Sequence, residues 1–151
     1  MDTSAVVQFK DLGVAAALSL AALGSALGTG AAGMASVGAW KKCYAQSKAA
    51  PFMLIVFVGA PLSQTIYGMI LMNKIAVAAS AGTYMWGMGI LGGMAMGASA
   101  MMQGRAGAGA ADALAETGKG FTNYLIVLGI IETVALFVMV FLLGKVGVLT
   151  G

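Results

Sequence analysis

Residues 124–143 read YLIVLGIIETVALFVMVFLL. As a helix rising ~1.5 Å per residue, this run crosses the ~30 Å hydrocarbon layer of a bilayer once. A membrane strand would alternate polar and apolar residues in shorter segments, and this run does not. Its one charge, Glu132, stands near the middle. A carboxylate at that depth is costly unless it is neutralised, paired or coordinated. Glutamine would make a helix-packing hydrogen bond more cheaply, so Glu132 is read as a group that reversibly binds a cation or a proton.

The rest of the chain agrees with a membrane setting. Of 151 residues, 60% are hydrophobic and only 9% charged, against about 25% charged in soluble domains. Apolar runs cover 12–40, 51–73, 76–111 (with a turn near Ala81–Gly82) and 121–143. The expectation is an all-α membrane protein with four transmembrane helices. The 23 glycines and 12 methionines favour close helix packing and adaptable apolar contacts. With no histidine and one cysteine, Cys43, neither an internal disulfide nor a cysteine-based metal cluster is available. The N-terminal stretch 1–11 carries Asp2 and Asp11, so no cleaved leader is expected.

Charge placement gives orientation. Lys41, Lys42, Lys48, Lys119 and Arg105 lie on or near the first and third loops, against Lys10, Lys74 and Lys145 on the other side. The positive-inside rule puts loops 41–50 and 112–120 in the cytoplasm and both termini outside. The net charge of +3 reports this topology and not nucleic-acid binding. Trp40, Trp86, Tyr44, Tyr84 and Tyr124 fall at or near run ends, as an interfacial belt would.

A repeat runs through the chain. The first and third runs are small-residue ladders (Gly24, Gly28, Gly30, Gly33; Gly97, Gly104, Gly107, Gly109). The second and fourth are bulky, with one polar spot each, Gln64-Thr65 and Glu132-Thr133. Two tandem-duplicated hairpins follow, 1–75 and 76–151, within one domain. Helices so rich in small residues suit the crowded inner wall of a ring.

Several polar groups fall at the depth of Glu132. The second helix offers Ser63, Gln64 and Tyr67 on one broad face, the third offers Gln103, and Thr133 follows Glu132. Amide, hydroxyl and carboxylate oxygens together suit a small hard cation. Tyr67 could donate to Glu132. Pro61 removes a backbone hydrogen bond and kinks its helix, which frees a carbonyl near 57–60. Gly28-Thr29-Gly30 lacks the strand and the lysine of a nucleotide loop. No nucleophile–base pair is present, so the chain is not read as an enzyme by itself.

Across nearly its whole length the chain resembles the membrane rotor proteolipid of V-type ATPases, known by the letters c or K. The resemblance rests on the two hairpins, the glycine ladders, Pro61-Leu62-Ser63-Gln64-Thr65-Ile66-Tyr67-Gly68, Gln103-Gly104-Arg105 and Ile131-Glu132-Thr133. It implies a homo-oligomeric ring in lipid, turning against a stator that supplies an arginine. Central-stalk proteins would meet the cytoplasmic loops. It also implies that Glu132 carries the ion and that Gln64, Gln103, Ser63 and Tyr67 complete a sodium site, with the Ala60 carbonyl as a further ligand. Ser63 departs from the threonine of that pattern but keeps a hydroxyl. Gln64 stands where a second carboxylate would, which implies one ion per chain. A bacterial plasma membrane is the location the sodium-type pattern implies.

Sodium is favoured over protons, because a proton needs only the carboxyl and one acceptor. A competing class is a small dimeric secondary exporter of cations using one membrane glutamate. Aromatic cations would want tryptophan or tyrosine beside the carboxylate; Tyr67 could serve, but no membrane-centre tryptophan lies near Glu132.

Overall fold

The computed structural model describes the backbone of residues 3–150 and the side chains of 12–149, and every regular element within them is helical. Helix α1 spans Thr3–Ala45, α2 Leu54–Gly59, α3 Ser63–Ser80, α4 Trp86–Thr117 and α5 Phe121–Thr150, with a 3-10 turn at Ala60–Leu62 between α2 and α3. The expected break at Pro61 takes the form of this tight turn. Proline has no N–H for the ladder and its ring crowds the preceding turn, so α2 and α3 make one interrupted rod.

Among the described residues three stretches are long and apolar enough to cross a membrane: Leu12–Ala45, Leu54–Ser80 and Phe121–Leu149. The sequence reading expected four, and α4 is the one that falls short of the measure. Its glycines add almost no apolar surface, and Gln103, Arg105, Asp112 and Glu116 lower it further. It nevertheless lies parallel to α1 along much of that helix. Gly13 packs on Trp86 and Gly89, Gly24 on Gly97, and Gly28 on Gly104. Farther on, the Cys43 thiol faces the Ala115 carbonyl at 3.8 Å.

The element ends also differ from the sequence reading. The second run continues to Ser80, so the division placed at 75/76 falls inside α3, and the turn occupies 81–85 with Gly82 at φ +89°. The third run continues past 111 to Thr117. There Gly118, at φ +65°, ends the helix and donates its N–H to the Leu114 carbonyl at 2.8 Å, the usual left-handed cap. Lys10, placed with Lys74 and Lys145, and the acidic residues of 1–11 lie outside the described side chains.

Close backbone approach is the main packing device. A β-carbon on Gly24 or Gly97 would fall inside the other helix's backbone, and the same holds for Gly28 and Gly104. Without a hydrophobic drive between helices in lipid, such approach supplies the van der Waals contact that holds them. Helix α3 runs antiparallel to α1: Gly68 rests on Ala17 and Ala21, and Pro61 on Gly28. Helix α5 packs on α4 and α3 through Leu128, Ala135 and Met139. Its outer face, with Ile126, Ile130, Val134, Phe137 and Phe141, is exposed and apolar.

The ends of α1 and α4 lie together. Lys42 and Glu116 approach to 3.7 Å with both side chains exposed, a pairing worth little in water. Trp40 Nε1 donates to the Pro51 carbonyl at 2.7 Å and ties the first loop to α1. The first and third loops thus share one end of the molecule. Ser47 turns the chain out of α1 at φ +51°, while the Lys48 N–H reaches back to the Cys43 carbonyl at 2.9 Å.

Two outcomes follow. Gly97→Ala, which must push α1 and α4 apart, should lose ~1–3 kcal/mol of stability, whereas Gly30→Ala, with nothing within 4 Å, should gain up to ~1 kcal/mol from helix propensity. Unfolding by SDS titration from mild detergent measures both. Ser47→Gly, which relieves a left-handed conformation, should raise stability by up to ~1 kcal/mol in the same assay.

Candidate functional site

Three helices meet around Glu132. Helix α5 places its carboxyl, half-buried, against α3 and α4. The Tyr67 hydroxyl, from α3, donates to Glu132 Oε1 at 2.7 Å. Gln103 Nε2, from α4, donates to Glu132 Oε2 at 3.3 Å and to the Leu128 carbonyl at 3.0 Å. Both carboxyl oxygens are thus engaged by neutral donors on different helices.

A second tier continues the chain of bonds. Gln64 Nε2 donates to Gln103 Oε1 at 2.8 Å, and both glutamines are completely buried. The Ser63 hydroxyl lies 3.2 Å from Gln64 Oε1 and 3.2 Å from the Ala60 carbonyl, toward both of which it can donate. Ala60 opens the 3-10 turn, one turn before Ser63 at the start of α3. Buried amides are tolerated only with their hydrogen bonds made, and here each glutamine is held by the next group along.

The residues expected to act together are therefore brought together: Glu132, Gln103, Gln64, Ser63, Tyr67 and the Ala60 carbonyl lie in one continuous hydrogen-bonded network. Thr133 does not join it. Its exposed hydroxyl donates to the Ile130 carbonyl of its own helix at 2.7 Å, because consecutive helical residues face different directions.

The sequence reading missed Ser99. Its hydroxyl donates across to the Ile131 carbonyl at 2.8 Å and ties α4 to α5 next to Glu132. The available signal was its place one turn before Gln103 on the same helix face.

The donor set is one of oxygens. Among the described residues no three histidine, cysteine, aspartate or glutamate side chains converge, as a transition-metal centre would require. One carboxylate, a hydroxyl, an amide oxygen and a backbone carbonyl are the hard ligands present.

Two apolar clusters are built on either side of the network. One includes Leu71, Ile75, Met96, Ala135 and Met139, the other Leu54, Phe57, Ala111, Leu114 and Leu128. The polar groups form an island within packed hydrocarbon, where electrostatic interactions are stronger than in water.

No curated protein matches the chain. Residues 86–143, which hold α4 with Ser99 and Gln103 and α5 through Glu132 to Leu143, match the family model of the ATP synthase C subunit. That stretch is thus similar to a family of non-catalytic, ion-translocating rotor subunits.

Proposed function

We propose that the chain is the ion-carrying unit of a V-type rotor ring, with four spans in two hairpins and one ion site per chain. The observation that carries this reading is the hydrogen-bonded Glu132 carboxyl, set halfway along the most apolar helix and joined to Gln103, Gln64 and Ser63. The parallel packing of α1 and α4 supports α4 as the fourth span and the two hairpins as copies of one design.

Sodium is the favoured cargo. Glu132, Ser63, Gln64 Oε1 and the Ala60 carbonyl would contribute oxygens to it. Gln103 turns its nitrogen to Glu132 and its oxygen to Gln64, so in this orientation it holds both neighbours in place beside the ion. Tyr67 would keep its bond to the carboxylate and hold it in the closed position. A proton needs fewer of these groups: one carboxyl and one acceptor suffice.

Neutralisation explains coupling. With its charge cancelled, Glu132 can travel beside lipid on the apolar outer face of α5. Without a cation it cannot re-enter hydrocarbon cheaply. At a stator, an arginine and an aqueous path would open the site and exchange the ion, and rotation would carry the next site in. Moving one charge through 100 mV is worth ~2.3 kcal/mol, which sets the work per ion. Loops 41–50 and 112–120 would face the cytoplasm and the central stalk, the termini would face outward, and a bacterial plasma membrane would hold the ring.

In a reconstituted complex, Glu132→Gln should reduce ion transport to background while the ring keeps its mass in mild detergent. Transport at wild-type rate would refute the assignment, and a dimeric mass would favour the exporter reading. Carbodiimide labelling of Glu132, followed by mass spectrometry, distinguishes the ions: sodium but not potassium should slow it. In Gln103→Leu, which removes the donor to Glu132 Oε2 and the acceptor of Gln64 Nε2, sodium protection should weaken at least tenfold, the effect of removing a hydrogen-bonded neighbour from a buried polar group. Labelling that follows pH alone in the wild type would identify protons as the cargo.

A further inference from the structure

Most hydroxyls described within these helices have a partner. Ser19, Ser80, Thr117 and Thr133 bond carbonyls of their own helices, Ser63 bonds Ala60 and Gln64, and Ser99 crosses to Ile131. Among the described residues three buried hydroxyl oxygens have none, and all three are on α1: Ser25, Thr29 and Ser36. Ser25 is only 2% exposed. A buried hydroxyl without a partner is destabilising, so such a group calls for an explanation.

The packing of α1 on α3 gives Ser25 its neighbour. These helices run antiparallel. On one side Gly68 rests on Ala21, where an added β-carbon would stand 2.7 Å from that side chain. On the other, Gly28 meets Pro61, with a corresponding distance of 3.0 Å. Between these two close contacts, one turn beyond Ala21 on α1 and one turn before Gly68 on α3, stand Ser25 and Gln64. Gln64 has capacity to spare. Its amide carries two protons, and among the described residues only Gln103 Oε1 accepts one.

The geometry points to Ser25 as a positioning residue for Gln64: its hydroxyl oxygen accepts the second amide proton, directly or across one buried water. This inference rests on the sodium-site reading and adds to it a residue from the helix outside the network described above. Its role is to hold one orientation of the amide. With both protons held, Gln64 keeps Oε1 on the Ser63 side, where a cation would meet oxygen. With one proton free, the amide can turn over and present NH2 to the cation.

The test compares wild type, Ser25→Ala, Ser25→Cys and Ser36→Ala in the assembled ring. It measures the sodium concentration that half-protects Glu132 from carbodiimide, and the pH dependence of labelling without sodium. Ser36 is equally buried, at 1% exposure, but lies near the loop end of α1, well away from Gln64. Ser25→Ala should raise the half-protecting sodium concentration roughly fivefold or more, the weight of one hydrogen bond. Ser25→Cys, which keeps the volume with a weaker acceptor, should fall between. The sodium-free pH profile and the Ser36→Ala protection should stay as in wild type. Wild-type protection in Ser25→Ala, or an equal loss in Ser36→Ala, overturns the role of Ser25 while leaving the sodium site standing. Sodium-indifferent labelling in the wild type overturns both.

Discussion

A carboxyl group halfway along an apolar membrane helix has to be hydrogen-bonded, neutralised or returned to water, and Glu132 imposes that requirement on every helix around it. Helix α3 must bring a hydroxyl, and Tyr67 does so at 2.7 Å. Helix α4 must bring an amide, and Gln103 does so at 3.3 Å. The amide in turn needs its own oxygen satisfied, which places Gln64 in the core. The polar chain therefore extends inward from the carboxylate until it reaches the turn at Ala60. Each link is costly if left open, so the network forms as a whole.

Holding several side chains from three helices at hydrogen-bonding distance demands helices that do not slide. Glycine contacts between α1 and α4 provide this. Gly24 on Gly97 and Gly28 on Gly104 fix the register of two parallel helices by backbone contact, leaving little freedom of rotation or translation. Helix α4 gives up apolar surface for this close fit, which is why it falls short as a free-standing membrane segment while packing against one that does not. Its Ser99 then ties α5 to α4 just before the carboxylate.

Pro61 plays a different part. By breaking α2 from α3 it sets Ser63 and Gln64 at the start of a fresh helix. The match of residues 86–143 to the ATP synthase C subunit covers the half of the site on α4 and α5. The half on α2 and α3, with its proline turn and its glutamine, lies outside that match.

The sequence by itself determined the helical class, the apolar runs and the place of Glu132 as the lone charge within one of them, because a charge in an apolar run is legible from the residues alone. It also picked out Gln64, Gln103, Ser63 and Tyr67, since polar residues stand out against an apolar background at one depth. Tertiary structure alone decided how these groups connect: which amide proton goes to which oxygen depends on helix register and rotation, and neither is written in a one-dimensional pattern. For the same reason Thr133 turned back to its own helix and Ser99 became a cross-helix tie, whereas the turn after α3 came where the sequence placed it, at Ala81–Gly82. Helix ends likewise followed local caps such as Gly118 and not the edges of apolar runs. Depth is a property of sequence position, whereas direction around a helix becomes a contact only when a second helix is packed against it.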